Sequence, residues 1–500
     1  MQRLLVGEII TTAAARTPGV PAVVADGRQL TFAEVAAGAE HLASVLAVRG
    51  VGRGDRVAWW GYNTVDAVPL FFALAHLGAV LIPVNPNFEE HEARPLFELA
   101  DAASVVTDDR HHGDVTIGHL LATPAPEPWP GGGLWPVDED DPHVIFFTSG
   151  TAGQSKGVVL SQRTEVIRSM LGGMSTWPRG ATICMFPQFH MAGWASTLEA
   201  WLSSETVVYV DGGTPEGILD AVDHYRGYRL YCIPAVWRRI LDVDRSAWDL
   251  SCLGQADTGT SATTPGLLGE LRRAFDWTTT TITYGSTEAG LVTRMWPQDV
   301  LRKHGSVGPT VPTVHARLEN GELVVRSGHL ASGYFRNPEA TAEAFQDGWF
   351  YTGELAERDD EGFLYIVGRT KEIIRSGGEW VAPVEVDAVL QRHPAILEVA
   401  VAGVPDDDWG EVVTAFVVPQ PGGMVTVEEL RRFCDGKLTA YKHPRRVVVV
   451  DVIPRTSTTG QIQRRALTAW AVAHPSGVDT DRGCTGGPLD AVGPGRRAPE

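Results

Sequence analysis

The hydrophobic positions of the chain fall into short runs separated by polar and amphipathic stretches of helical length. Val57–Trp60, Val80–Val84, Val144–Phe147 and Thr206–Val210 are near-continuous apolar runs of strand length. Such runs, alternating with helical patterns, predict strands buried on both faces, in parallel sheets covered by helices. The most apolar segment, Val68–Val84, contains Pro69, His76, Gly78 and Pro83 and holds no apolar span of membrane length. It predicts a buried helix over Leu70–His76, a glycine turn, and a buried strand over Val80–Val84. Pro124–Pro136 is rich in Pro and Gly and predicts a surface connection. From Glu322 the texture changes to short strands and tight turns, with strands at Leu323–Arg326 and Phe363–Val367. A small α/β unit follows: a helix near Val384–Gln391, strands at Leu397–Ala402 and Val412–Val418, and a helix at Val427–Cys434. The segment His474–Glu500 is dominated by Gly, Pro and polar residues and predicts a disordered tail.

Composition narrows the classes. With 500 residues, 44% apolar and 21% charged, the chain is an ordinary globular mixture, long enough for roughly two to four domains. Its net charge of −19 argues against nucleic acid and anionic membrane surfaces as partners, because both require clustered Lys and Arg. Five widely spaced cysteines without a CxxC pair argue against a disulfide framework or a zinc module, and favour a reducing, cytoplasmic setting. Glu8 interrupts the only N-terminal apolar run, so no signal peptide is expected. His111, His112 and Asp114 lack a wider metal-ligand pattern. Asp406–Asp408 reads as a solvated turn, and the scattered tryptophans read as core.

One segment carries chemistry. Thr148-Ser149-Gly150-Thr151-Ala152-Gly153-Gln154-Ser155-Lys156-Gly157 follows directly on the strand Val144–Phe147. Glycines free backbone N–H groups, hydroxyls add donors, and Lys156 adds a cation, as a polyphosphate cradle requires. The spacing is not that of a P-loop, since Ser155 stands at the second glycine position and Gly157 follows the lysine. Composition alone leaves a flexible surface loop equally open. The segment resembles the TSGTTGxPKGV signature of the adenylate-forming superfamily, which includes acyl- and aryl-CoA synthetases, luciferases and peptide-synthetase adenylation domains. It departs at Ala152, Ser155 and Gln162.

Further segments extend the resemblance over nearly the whole chain, from Gln29-Leu30-Thr31-Phe32 to Arg465. Pro187-Gln188-Phe189-His190-Met191-Ala192-Gly193 is similar to a stretch whose histidine gates the acid pocket. Trp194 lies four residues on, and would shorten that pocket if it faced it. Thr258-Gly259-Thr260-Ser261 takes the place of a turn over the adenine. Tyr284-Gly285-Ser286-Thr287-Glu288 resembles Y-G-x-T-E, implying stacking on adenine by Tyr284, a bond to the α-phosphate from Thr287, and Mg²⁺ binding by Glu288, with Thr151 as a second metal contact. A lone Thr-Glu pair would also suit a helix start. Tyr351-Thr352-Gly353-Glu354 resembles a ribose-binding motif with Glu in place of Asp. Gly368-Arg369-Thr370-Lys371-Glu372 implies a second ribose contact at Arg369 and a hinge at Lys371. Ser376-Gly377-Gly378-Glu379 matches the loop that approaches pantetheine, and reads independently as a tight turn between strands.

The last signature departs most. Pro454–Arg465 resembles P-R-T-x-x-G-K-I-x-R, but places Gln461 where the catalytic lysine belongs. A glutamine donates a hydrogen bond without a charge, and loss of one transition-state contact costs ~10²–10³ in rate. Slower adenylation, substitution by Arg464 or Arg455, or a changed reaction all remain open.

The resemblance implies an α/β protein. Its large N-terminal domain, residues 1–368, has two helix-covered sheets and a small β-barrel-like unit; a mobile C-terminal α/β lid, residues 369–473, precedes the tail, 474–500. It implies ATP, Mg²⁺ and CoA, a small carboxylic acid as substrate, and acyl-AMP as intermediate. A homodimer is compatible. The alternatives are transfer to a carrier-protein thiol or an amine, activation of an unusual acid such as nitrite, or non-catalytic adenylate binding.

Overall fold

The structure is a computed structural model that describes residues 3–125, 136–148, 155–173, 180–210, 213–260, 263–456 and 461–474. The chain divides into two compact units. The first comprises Met1–Arg317, Val324–Thr352 and Asp360–Leu364; the second comprises Leu318–Leu323, Gly353–Asp359 and the chain from Tyr365.

Two sheets dominate the first unit among the described residues. One runs in the order Gly290–Met295, Ile282–Ser286, Gln255–Gly259, Gly227–Cys232, Ala181–Cys184, Val207–Tyr209, Pro21–Ala25, Arg28–Thr31. The other runs Gly333–Tyr334, Lys156–Ser161, Pro142–Thr148, Val80–Val84, Arg56–Trp60, Ser104–Thr107, Val115–Thr116. The inner pairings of both are parallel, as the apolar runs predict. Antiparallel strands close the edges: Arg28–Thr31 and Gly290–Met295 in the first sheet, Lys156–Ser161 and Gly333–Tyr334 in the second. A further five-stranded sheet includes Val314–Glu319, Glu322–Ser327 and Trp349–Arg358, where the sequence predicts a small β unit.

Local chemistry explains the elements around Val68–Val84. The helix Ala67–Leu77 is buried on nearly every face and ends at Gly78, whose φ of 65° is the left-handed conformation of a glycine C-cap. Val80–Val84 then enters the sheet fully buried. The preceding helix, Phe32–Val48, starts with a capping box: Glu34 N–H donates to Thr31 Oγ1 at 3.2 Å, and Thr31 N–H donates to Glu34 Oε2 at 2.7 Å. Trp59, Trp194, Trp201 and Trp237 are all buried, as expected of core tryptophans. The indole N–H groups of Trp201 and Trp237 donate to Ala22 O and Asp257 O, each at 2.9 Å.

The second unit is a sheet ordered Glu379–Val381, Ile374–Ser376, Gly410–Pro419, Ile396–Asp406, with Arg446–Val449 parallel to Gly410–Pro419. Successive residues of Ile396–Asp406 point to opposite faces. Val399 and Val401 pack with Val386, Leu390, Val427 and Leu430 of the helices Pro383–Leu390 and Val427–Cys434. Ala400, Ala402 and Val404 pack with Leu467 and Ala471 of the helix Arg464–Ala473. Both faces are therefore covered, which is why these strands read as unbroken apolar runs. Asp406 accepts from the N–H groups of Asp408 and Trp409 at its turn, and pairs with Arg446. Among the described residues no helix is long and apolar enough to cross a membrane. The predicted tail beyond His474 lies outside the described residues, as does residue range 126–135 of the predicted surface connection.

Burial makes the first unit acid-sensitive. His143 is fully buried, and that burial pushes its imidazole down to about 3. The unfolded chain therefore binds a proton that the folded chain refuses, and stability falls as pH drops below the usual histidine range. Between pH 7.5 and pH 5 this single group should cost about 2 kcal/mol. A His143→Leu variant should show a shallower decline of melting temperature over that range than wild type, read by scanning calorimetry.

Candidate functional site

In the first unit the structure brings Lys156, Thr287, Glu288 and Tyr334 together. Thr148 and Lys156 are paired across the antiparallel strands Pro142–Thr148 and Lys156–Ser161, so both ends of the glycine-rich segment are fixed by the sheet. Ser149, Gly150, Thr151 and Gly153 lie outside the described residues. Lys156 starts a strand rather than ending a loop. Its Nζ sits 4.6 Å from the ring centroid of Tyr334, and among the described residues no carboxylate pairs with it. A cation without an ionic partner suits a phosphate.

Thr287, Glu288 and Ala289 form the loop of a tight hairpin between Ile282–Ser286 and Gly290–Met295, not the start of a helix. Gly290 takes a φ of 67°, and a Cβ on Gly285 would lie 2.0 Å from Gly290 O. Only glycine fits this turn at Gly285. Ala289 N–H donates to Ser286 Oγ at 3.1 Å, which tightens it further. The Tyr334 hydroxyl donates to Glu288 Oε1 at 3.0 Å. Burial, then the Glu288 charge, push this phenol well above its usual range, so it stays protonated. A hard carboxylate oxygen at a hairpin tip fits Mg²⁺, whose usual protein ligands are one or two carboxylates.

Behind the turn stands Arg168 of the helix Gln162–Gly173. Its guanidinium donates to Thr287 O and Glu288 O, each at 2.9 Å, and to His329 O at 3.0 Å. Neither Tyr334 nor Arg168 is singled out by sequence reasoning. Tyr334 lies on the short strand Gly333–Tyr334, which carries no motif. Arg168 belongs to a polar set, Gln162, Glu165, Arg168 and Ser169, at helical spacing, which resembles a solvated face but is buried. Gln162 itself is structural: its side chain accepts from Val6 N–H at 2.9 Å and donates to Ala75 O at 3.2 Å.

Tyr284 lies on the strand Ile282–Ser286, beside the strand that ends at Gly259. A Cβ on Gly259 would meet Thr283 O and the Tyr231 hydroxyl, both at 2.6 Å, so the backbone approaches closely there. Thr260 follows with a φ of 63°, unusual for a β-branched residue, and Ser261 lies outside the described residues. His190 caps the helix Met191–Leu202, its Nδ1 accepting from Ala192 N–H at 3.1 Å. That leaves the ring proton on Nε2. Burial pushes the imidazole down to about 4, so it is neutral at neutral pH. Phe186 stacks on it, with Tyr231 beside Phe186 at 5.1 Å between centroids. Trp194 does not continue this row. It packs against Phe71, Phe146 and His143 in the core, and its indole N–H donates to Glu165.

In the second unit Glu354 and Arg369 face each other, with Arg369 Nε 3.4 Å from Glu354 Oε1. Gly353 N–H donates to Glu322 Oε1 at 2.8 Å, and Gly353 O accepts from the Thr370 backbone N–H at 2.9 Å. The turn before Glu354 is thereby tied to the residue before Lys371, which is exposed. Gly377 and Gly378 have φ of 60° and 87° and form the two-residue turn of a hairpin in which Ser376 pairs with Glu379. Gln461 and Thr456 close a loop across the Arg455–Ile462 bridge, with Thr456 N–H donating to Gln461 O at 2.8 Å.

Arg464 is committed elsewhere. It is buried and donates to Val401 O and Asp387 Oδ2, each at 2.7 Å, and to Glu372 Oε2 at 3.2 Å. It cannot stand in for the absent lysine without vacating that site. Arg455 pairs with Glu398 at the surface.

The sequence model of the AMP-binding enzyme family matches residues 10–335, and that of the AMP-binding enzyme C-terminal domain matches residues 385–459. An indoleacetate–CoA ligase of Aromatoleum aromaticum is 32% identical over 487 residues, covering 88% of this chain and 93% of the relative. The long-chain-fatty-acid–CoA ligase FadD13 of Mycobacterium tuberculosis is 31% identical, covering 88% and 92%. The o-succinylbenzoate CoA synthetase of Bacillus subtilis, solved with its acyl-adenylate intermediate, is 25% identical and superposes with a TM-score of 0.83 over 92% of this chain and 97% of that one.

Tyr334→Phe removes one hydroxyl and keeps the ring under Lys156. Hydrogen bonds to charged acceptors are worth about 1.5–3 kcal/mol. ATP binding in the presence of Mg²⁺, followed by isothermal titration, should therefore weaken about 10-fold, while binding in EDTA changes little. Equal loss in both conditions would remove Glu288 from the metal site.

Proposed function

The chain belongs to the AMP-binding enzyme family, and from that premise we propose how its own residues divide the work of an acyl-CoA synthetase. It is an AMP-forming acid–thiol ligase: a carboxylic acid is activated by ATP to acyl-AMP, and the acyl group passes to CoA. In the first step a carboxylate oxygen bonds to the α-phosphorus and pyrophosphate leaves. In the second the CoA sulfur, having lost its proton, bonds to the acyl carbon and AMP leaves.

Lys156, with Thr148, Ser149, Gly150, Thr151 and Gly153, holds the outer phosphates. Thr287 donates to the α-phosphate. Glu288, oriented by Tyr334, and Thr151 would hold Mg²⁺, which neutralises phosphate charge. Tyr284 stacks on adenine, with Gly259, Thr260, Ser261, Gly285 and Ser286 forming its surroundings. Glu354 and Arg369 hold the ribose. His190, neutral across the working pH range, gates the acid. The ring row Tyr231–Phe186–His190 favours an aryl acid. Residues 369–473 act as the lid, hinged at Lys371, and Gly377-Gly378 lies along the pantetheine.

The observation that carries this reading is the Lys156–Tyr334–Glu288 arrangement, a cation without an ionic partner among the described residues and a carboxylate, joined through one phenol. Gln461 donates through its amide without charge, so adenylation is slow for the family. The free thiols Cys184, Cys232, Cys252 and Cys434 support a cytoplasmic setting. A homodimer belongs to the same proposal and is read by light scattering.

Pyrophosphate release should appear with a member of an acid panel led by aryl acids and including aliphatic and inorganic ones. Thioester should appear only with CoA present. Product in the absence of CoA would instead favour a carrier-protein or amine acceptor. Gln461→Lys should raise the pyrophosphate-release rate by ~10²-fold; an unchanged or lower rate would show that Gln461 is adapted to a different reaction.

A further inference from the structure

The Thr287–Glu288 turn and the helix that begins at His190 are separate motifs in the sequence, yet buried polar side chains of a single helix reach both. Trp194 lies one turn into the helix Met191–Leu202, and its indole N–H donates to Glu165 Oε2. Glu165 lies on the helix Gln162–Gly173, one turn before Arg168, and acts on it through its charge and the shared helix, not through a hydrogen bond. Arg168 donates to Thr287 O, Glu288 O and His329 O. The two helices touch closely: a Cβ on Gly172 would lie 1.8 Å from Glu199 Cδ.

The Arg168 side chain has little freedom. A Cβ on Gly290 would come within 2.7 Å of Arg168 Nε, so the guanidinium packs closely against the hairpin backbone. Glu288 O also accepts from Ala331 N–H at 2.8 Å, which fixes the same carbonyl from a second side. Glu165, Arg168 and Trp194 are all buried, and Glu165 Oε1 has no hydrogen-bond partner among the described residues. Burial pushes the Glu165 carboxyl up to about 7, opposed by the Arg168 charge and then by the Trp194 indole, so this group senses both neighbours.

We infer that Arg168 is a positioning residue for the α-phosphate and metal turn, and that Glu165 and Trp194 couple this turn to the helix carrying His190 at its start. The inference rests on the roles given above to Thr287, Glu288 and His190. The carbonyls of Thr287 and Glu288 set the direction in which the two side chains leave the turn. An acid seated against the His190 helix and a phosphate held by the turn are thereby registered to one another through Trp194, Glu165 and Arg168. Lysine cannot replace Arg168, because a single ammonium cannot span three carbonyls in the fixed fork of a guanidinium.

The test uses the full chain, with Mg²⁺-dependent ATP binding as a readout that needs no acid. Arg168→Lys should raise the Mg²⁺ midpoint for ATP binding about 10-fold and lower the pyrophosphate-releasing half-reaction by ~10²-fold. Thioester formation from a synthetic acyl-adenylate, which needs no metal, should fall far less. Trp194→Phe keeps an aromatic ring in the core while losing the donor and some ring volume; it should move the Mg²⁺ midpoint in the same direction, by about 3-fold, and serves where Arg168→Lys folds poorly. A lowered melting temperature with an unmoved Mg²⁺ midpoint, or equal loss in both half-reactions, would make the network structural and overturn the inference. A wild-type protein that neither binds MgATP nor releases pyrophosphate with any acid would instead overturn the functional reading, and this inference with it.

Discussion

A buried guanidinium has to be satisfied on every side, and much of the first unit is arranged around satisfying Arg168. Moving an arginine out of water costs several kcal/mol unless its donors are all engaged. Burial lowers Arg168 to about 10 even with Glu165 and Glu288 opposing that fall, so it remains charged at neutral pH. Three carbonyls meet it, from Thr287, Glu288 and His329. The Thr287 and Glu288 carbonyls come together because Gly285 and Gly290 let the two strands close over a three-residue loop. His329, lowered to about 4 by its burial and then by the Arg168 charge, stays neutral beside it and adds no repulsion. The shape of the turn that presents Thr287 and Glu288 thus follows from its two glycines together with the carbonyls' bonds to Arg168.

The same logic separates what the sequence discloses from what it hides. Elements with a single strong period are legible: the helix predicted at Leu70–His76 is Ala67–Leu77, the strand Val80–Val84 is matched residue for residue, and the helix Val427–Cys434 likewise. Glycine pairs with an obligatory left-handed turn are legible too, as at Gly377-Gly378. Antiparallel edge strands are not. Lys156–Ser161 and Gly290–Met295 follow glycine-rich motifs whose chemistry dominates the pattern and conceals the pairing. A buried polar stripe is the hardest case. Glu165 and Arg168 at helical spacing carry the same signature as a solvated ion pair, and only the approach of a second helix and a hairpin distinguishes them. Tyr334 fails for a different reason: its role depends on Glu288, 46 positions away.

The lid signature shows how a residue's environment limits its chemistry. Arg464 and Arg455 both flank Gln461, and charge alone makes either a replacement for the missing lysine. Arg464 neutralises Asp387, whose carboxyl burial still pushes up to about 6. Removing Arg464 from that pocket would strand a buried carboxyl and the Glu372 side chain beside the proposed hinge. Arg455 makes an exposed pair with Glu398, and pairs of that kind are worth about 0–1 kcal/mol. Of the two, Arg455 is the exposed one and Arg464 the buried one. Glu354 tells a related story. The extra methylene relative to aspartate brings its carboxylate to Arg369, so the two residues assigned to the ribose already face one another.

A net charge of −19 sets the chain against an anionic substrate. The overall field repels MgATP at long range, although at physiological salt it is screened beyond about 8 Å. Affinity must therefore come from groups within a few ångströms of the phosphates, and cations there are worth most when no protein carboxylate competes for them. Arg28, Arg53, Arg226 and Arg302 are each paired with a carboxylate at the surface. Lys156 sits over an aromatic face instead, where the ring holds the ammonium in place without neutralising it. Tyr334 performs that service for Lys156 while its hydroxyl orients Glu288. In the roles proposed for Lys156 and Glu288, one phenol would keep a cation available for phosphate and a carboxylate aimed at metal, favouring the magnesium complex over the free nucleotide.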